Sequence, residues 1–106
     1  MTEDQGFKLH PGAAQDIIEI WQFIADDNLP AAARFRENIL EAVRKIAAYP
    51  HQGHKRPDLT SRPLRFHTFR EYLIAYAPEE KPVVVIAIIH GRRNPRIIAA
   101  ILGGRK

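Results

Sequence analysis

The sequence predicts one α+β domain over residues 1–106. An N-terminal helical hairpin packs on a small antiparallel β-sheet, in the order β-α-α-β-β-β-α. Three observations predict it. Apolar residues recur at helical spacing between Pro11 and Tyr49. After a proline-rich basic loop the period drops to two. A chain of 106 residues without cysteine must hold itself together by a core, and at this length roughly two-thirds of the unfolded surface can be buried.

Phe7–His10 reads as a short extended start. Pro11 and Gly12 open a helix, because a proline in the first turn gives up an N–H that has no intrahelical partner anyway. Ile17, Ile20, Trp21 and Ile24 form its apolar stripe, with Trp21 placed in the core. Asp16, Glu19 and Asp26 fall between them as wet-face charges. DDNLP ends the helix. A second helix runs from about Pro30 to Tyr49 on the stripe Phe35, Ile39, Val43 and Ile46, and the short connection makes the pair antiparallel.

YPHQGHKRPDLTSRP is a loop with three prolines and one glycine. In LRFHTF, Leu64, Phe66 and Thr68 face one way and Arg65, His67 and Phe69 the other. Tight turns at REY and PEEKP then lead into YLIAYA and VVVIAII, the rest of a meander. The last strand is apolar on both faces and therefore central or covered. The expectation is that the hairpin covers one sheet face and that the face bearing Arg65 and His67 has only partial cover. Asn94 caps a final helix with Pro95 at its start, and Gly103-Gly104 ends it.

Net charge is +4 and unevenly spread. Residues 1–50 hold five Lys/Arg against eight Asp/Glu; residues 51–106 hold eleven against four. The second half therefore suits an anionic partner, nucleic acid or an acidic protein segment, although an uneven solvated surface explains the same numbers. MTEDQGFKLH lacks the basic and apolar regions of a secretory signal. The longest apolar run is far below the ~20 residues of a membrane helix. The expectation is a cytoplasmic protein with no membrane contact.

The chemistry concentrates where VVVIAIIHG meets RRNPR. If the strand persists, His90 and Arg92 share a face. Arg92 and Arg93 precede a helix N-terminus, and Arg65 lies on a neighbouring strand. The candidate binding set for an anionic partner is Arg65, His67, Arg70, His90, Arg92 and Arg93. The alternative is solvated strand-end charge with a structural histidine. His51 and His54 are too isolated to argue for metal, so neither a metal nor a cofactor is expected. RNA cleavage through the 2′-hydroxyl needs an acid, a base and cations. Arg65, Arg70 and Arg92 supply cations and His90 one acid or base, but RIIAAILGGRK offers no second.

Three segments taken in order, AAQDIIEIWQFIAD, AAARFRENILEAVRKIAAYPHQGHKRPDL and LRFHTFREYLIAYAPEEKPVVVIAIIHGRRN, resemble the RelE/ParE toxin superfamily of bacterial toxin–antitoxin modules. The resemblance spans Phe7 to about Leu102 and implies the fold already derived. It also implies a cognate antitoxin, ParD-like or another small acidic protein, in a toxin–antitoxin hetero-oligomer. RelE-like members cut mRNA on the ribosome; ParE-like members poison DNA gyrase. The missing C-terminal aromatic or histidine and the HGRR strand end look more like ParE. Gyrase poisoning is thus the leading expectation. A ribosome-dependent endoribonuclease using His90, Arg65 and Arg92 is the alternative, and a non-toxic binding module a second. On the leading reading the catalytic set stays unknown.

Overall fold

A computed structural model describes residues 6–106; the acidic first five residues lie outside it. The described chain folds as β1 (Phe7–Leu9), α1 (Pro11–Ala25), α2 (Leu29–Ala48), β2 (Arg65–Phe69), β3 (Tyr72–Ala77), β4 (Val83–His90) and α3 (Pro95–Gly104). This is the expected α+β order.

Both helices of the hairpin begin as their sequences dictate. His10 Nδ1 accepts from Gly12 N at 2.9 Å ahead of α1, and Asn28 Oδ1 accepts from Ala31 N at 3.0 Å ahead of α2. Each cap occupies an N–H that the helix itself leaves unbonded. Pro11 and Pro30 sit in the first turns.

The sheet order is β1-β4-β3-β2. Strands β2, β3 and β4 form the expected antiparallel meander. β1 joins it in parallel, Phe7 opposite Val83 and Leu9 opposite Val85, so the sheet is mixed. The reason is topological. The helical hairpin intervenes between β1 and the meander, and the edge left open is that of β4.

Two cores flank the sheet. Ala13, Ile17, Phe35, Ile39, Val43 and Ile46 of the hairpin pack on Ile74, Tyr76, Val83, Val85 and Ile88. On the opposite face Leu59, Leu64, Ile98 and Leu102 pack on Phe66, Ala75, Ile86, Ala87 and Ile89. Burying a side chain of this size contributes about 1.5–3 kcal/mol. β4 serves both cores, which is why it is apolar throughout. It also carries a bulge. Ala75 pairs with Ala87 and Tyr76 with Val85, leaving Ile86 as an extra residue. Consecutive Ile86 and Ala87 consequently turn to the same core.

The expected face assignment is corrected here. Phe69 packs on Phe35 of α2, with ring centroids 6.1 Å apart. Phe69, His67 and Arg65 therefore lie on the hairpin side, while Leu64 and Phe66 turn toward α3. Volume decides it: the hairpin stripe needs an aromatic opposite Phe35. Trp21 is only half-buried, on the outer flank of α1 beside Ile18 and Arg36. α3 runs through both glycines. Arg62 Nη1 donates to the carbonyls of Leu102 and Arg105, satisfying acceptors that a helix end leaves open.

Candidate functional site

The edge of β4 is built before it is functional. His10 N donates to Val85 O at 2.8 Å, the last backbone bond that the β1 segment makes to β4. Beyond it, side chains take over. Asp16 Oδ2 accepts from Ile88 N at 2.9 Å, and Arg105 Nη1 donates to Ile86 O at 3.1 Å. The two side chains join each other through Arg105 Nη1–Asp16 Oδ2 at 2.6 Å and Arg105 Nη2–Asp16 Oδ1 at 3.0 Å. Hydrogen bonding to Asp16 holds the Arg105 guanidinium above its ordinary pKa, against a smaller opposing effect of burial. Gly12 makes this possible, since a Cβ there would collide with the Arg105 guanidinium. Asp16, expected on a wet face, is thus a half-buried strap on the sheet edge.

Past this strap the edge opens into a cleft of about 300 Å³ between α1, the end of β4 and α3. Ile20, Phe23, Ile88, Ile89 and Ile101 give it apolar walls; Glu19 stands on one side and His90 and Arg93 on the other. Phe23 is 78% exposed at its rim. The register fixes what the strand offers. Gly91 N bonds Glu71 O, so by antiparallel alternation the backbone N–H and C=O of Ile89 face β3 and those of His90 face the open edge.

His90 is held rather than free. Its Nδ1 accepts from Arg92 N at 3.1 Å, and its ring stands edge-on to Tyr72 at 5.5 Å. An accepting Nδ1 leaves the ring proton on Nε2. Burial raises the Tyr72 phenol pKa, with Glu71 adding to the effect and Arg70 opposing it. The strand ends at His90, so Arg92 lies in the following turn and not on the His90 face. Arg93 N bonds back to His90 O at 3.0 Å.

The sequence-derived binding set splits in two. Arg70, His90, Arg92 and Arg93 come together, because the β2–β3 turn and the end of β4 lie side by side through the Gly91–Glu71 bond. Arg70 takes a left-handed backbone, φ 55°, and its guanidinium lies 5.1 Å from the centre of the Phe69 ring. Arg65 sits at the other end of the sheet, paired with Tyr76, four residues or about 13 Å along β2 from Phe69. Its Nη1 donates to Gly53 O at 2.8 Å. His67 pairs with Ile74 in mid-strand.

Arg65 belongs to a different construction. Tyr76 Oη donates to Pro50 O at 2.7 Å and accepts from Gly53 N at 3.0 Å. A Cβ on Gly53 would meet Tyr76 Oη and, at 2.9 Å, Phe66 O. The Tyr-Pro-x-x-Gly loop is therefore a collar around one buried hydroxyl. His51, next to it, bonds Glu79 at 2.9 Å.

Sequence reasoning missed Phe23, Tyr72 and Ile101 as cleft walls. A signal was present: residues 17–24 of α1 include six large apolar side chains, too many for one buried stripe. A family model described as "ParE toxin of type II toxin-antitoxin system, parDE" matches residues 7–95, which takes in the hairpin, the sheet and the start of α3. No curated protein matches the chain.

Proposed function

The chain belongs to the ParE toxin family of type II toxin–antitoxin systems, and from that premise we propose that it arrests growth by poisoning DNA gyrase and is silenced by an antitoxin segment seated in the cleft beside β4. The observation that carries the choice of target is the setting of His90. Its Nδ1 is occupied by Arg92 N, and the other acid–base groups near it, a Tyr72 whose burial raises its phenol pKa, Glu19 across the cleft and the exposed Glu71, share no hydrogen bond with it among the described residues. RNA cleavage requires a proton acceptor and a proton donor on opposite sides of the phosphorus. The cationic half of such a site is present and the proton-transfer half is thin.

The cleft suits an amphipathic acidic segment. Ile20, Phe23 and Ile101 receive apolar side chains, while Arg93 and His90 meet a carboxylate at the rim. A segment of this kind, disordered alone, orders on contact. The reading places the toxin in the cytoplasm within a toxin–antitoxin hetero-oligomer; no described helix is long and apolar enough to cross a membrane.

A gyrase supercoiling assay run beside a ribosome-dependent mRNA cleavage assay tests the target. Inhibited supercoiling with intact mRNA is expected. Cleaved mRNA with unaffected supercoiling would move the assignment to the endoribonuclease, which the cluster of Arg70, Arg92 and Arg93 around His90 favours as the second reading.

A further inference from the structure

We propose that the end of the sheet carrying Arg70, Arg92, Arg93 and Arg96 docks on the phosphate backbone of duplex DNA. The inference goes beyond the target assignment and needs neither gyrase nor the antitoxin.

The arginines of this chain divide by what they do. Arg44, Arg56 and Arg105 are ion-paired with Glu41, Asp58 and Asp16. Arg62 and Arg65 donate to backbone carbonyls. The four at the sheet end are exposed, and none has an ion-pair partner among the described residues. They are brought together by tertiary structure: Arg70 from the β2–β3 turn, Arg92 and Arg93 from the turn after β4, and Arg96 from the first turn of α3. One to two strand spacings, about 5–10 Å, separate the two turns, a breadth comparable with a DNA groove. Arg70, Arg92 and Arg93 over that breadth, with Arg96 beside them and Glu71 the one carboxylate in the two turns, leave a net positive face suited to phosphate.

Duplex DNA fits better than single-stranded RNA because the rings next to these arginines are already engaged. Recognition of unpaired bases relies on exposed aromatic platforms. Here Phe69 lies under Arg70 and against Phe35, and Tyr72 is held between Phe35 and His90. The exposed ring of Phe23 belongs to α1, the other wall of the cleft, so the arginines themselves offer a surface for the sugar-phosphate backbone. Arg70 also occupies a left-handed backbone position, which an arginine adopts far less readily than glycine would. The turn thus carries a cation where local geometry alone favours none.

Fluorescence anisotropy of the full chain with a labelled 20-base-pair duplex of arbitrary sequence, between 50 and 200 mM salt, tests this. Binding should weaken with a log–log salt slope of about −3, the release expected for three to four phosphate contacts. Arg92→Gln or Arg96→Gln should each reduce the slope by about 1. The triple variant Arg70→Gln/Arg92→Gln/Arg96→Gln should lose at least tenfold at 100 mM, with its fold checked by circular dichroism. Arg34→Gln/Arg36→Gln, which removes exposed charge from the hairpin, is the control and should keep most of the affinity. Loss in the control equal, charge for charge, to that in the triple variant would reduce the effect to net charge and overturn the assignment. So would absence of binding at 50 mM salt, or tighter binding to a single-stranded RNA of equal length. Supercoiling inhibition by the unaltered chain is read separately, so failure of either idea leaves the other standing.

Discussion

Asp16 and Arg105, 89 residues apart, meet in a two-pronged ion pair that continues the sheet where β1 stops. Each side chain also bonds the backbone of β4, one as acceptor from Ile88 N and one as donor to Ile86 O. The side chains are 15% and 20% exposed, so water screens them weakly. The strap thereby fastens α1 and the segment after α3 to one strand, and it forms the closed end of the cleft.

Asp16→Asn or Arg105→Gln should destabilise the fold by about 1–3 kcal/mol, because the surviving partner is left half-buried without its counter-charge. Urea denaturation measures it. The double variant should lose clearly less than the two single losses added together, as coupled neighbours do. Strict additivity would show that the pair does not act as a unit. Gly12→Ala should imitate the single variants, since the added methyl group displaces the guanidinium.

Tyr76→Phe should cost about 1–3 kcal/mol by leaving the buried Gly53 N–H without its acceptor. It should also change the pH profile. Burial pushes the Tyr76 phenol up from its ordinary value near 10, with the Gly53 N–H and Arg65 opposing the shift. Raised in the folded state, this group contributes stability that is complete below about pH 10 and lost as pH rises through the folded value. Melting curves from pH 8 to 12 should show a steeper alkaline fall for the parent than for the variant. Parallel falls would contradict the account.

Arg70→Gly should raise the melting temperature slightly. A left-handed backbone costs a non-glycine residue about 1–2 kcal/mol, and glycine's extra unfolded entropy takes back about 0.5–1. A net gain of about 0.5 kcal/mol corresponds to roughly 2–4 °C in a domain of this size. A drop instead would mean that the stacking on Phe69 outweighs the strain.

Phe23→Ser should leave stability within about 0.5 kcal/mol, as the ring is mostly in solvent, yet weaken the antitoxin by about tenfold or more. Arg93→Glu should slow association at low salt and flatten its salt dependence. Calorimetry and stopped-flow mixing with the cognate antitoxin read the two effects. Unchanged affinity in Phe23→Ser would exclude the cleft as the seat.

His90→Ala should still arrest growth when folded, since the ring braces the turn through Arg92 N. An endoribonuclease would instead lose about 10²–10⁴-fold of cleavage. Deleting residues 97–106 is a poor test, because it removes Ile98, Leu102 and Arg105 and opens the second core. Ile97→Ser, at a position 45% exposed, probes α3 without that damage.

Local pattern was enough for the elements. The stripe Phe35, Ile39, Val43 and Ile46, the Asn94 cap and the two-residue alternation of the meander are short-range features that act within a few residues. They determined the α+β order and the convergence of Arg70, His90, Arg92 and Arg93 at one end. What they could not determine was anything set by contact between distant segments. Which face of β2 met the hairpin depended on Phe69 filling space against Phe35. The destination of Asp16 depended on a bulge at Ile86 and on an arginine beyond the last helix. Arg65 left the expected site because the register pairs it with Tyr76, at the far end of β3 from His90, where the Gly53 carbonyl accepts from it. A polar side chain on a helix reads the same in sequence whether water or a buried strand edge satisfies it; only the tertiary structure supplies the second partner and decides the role.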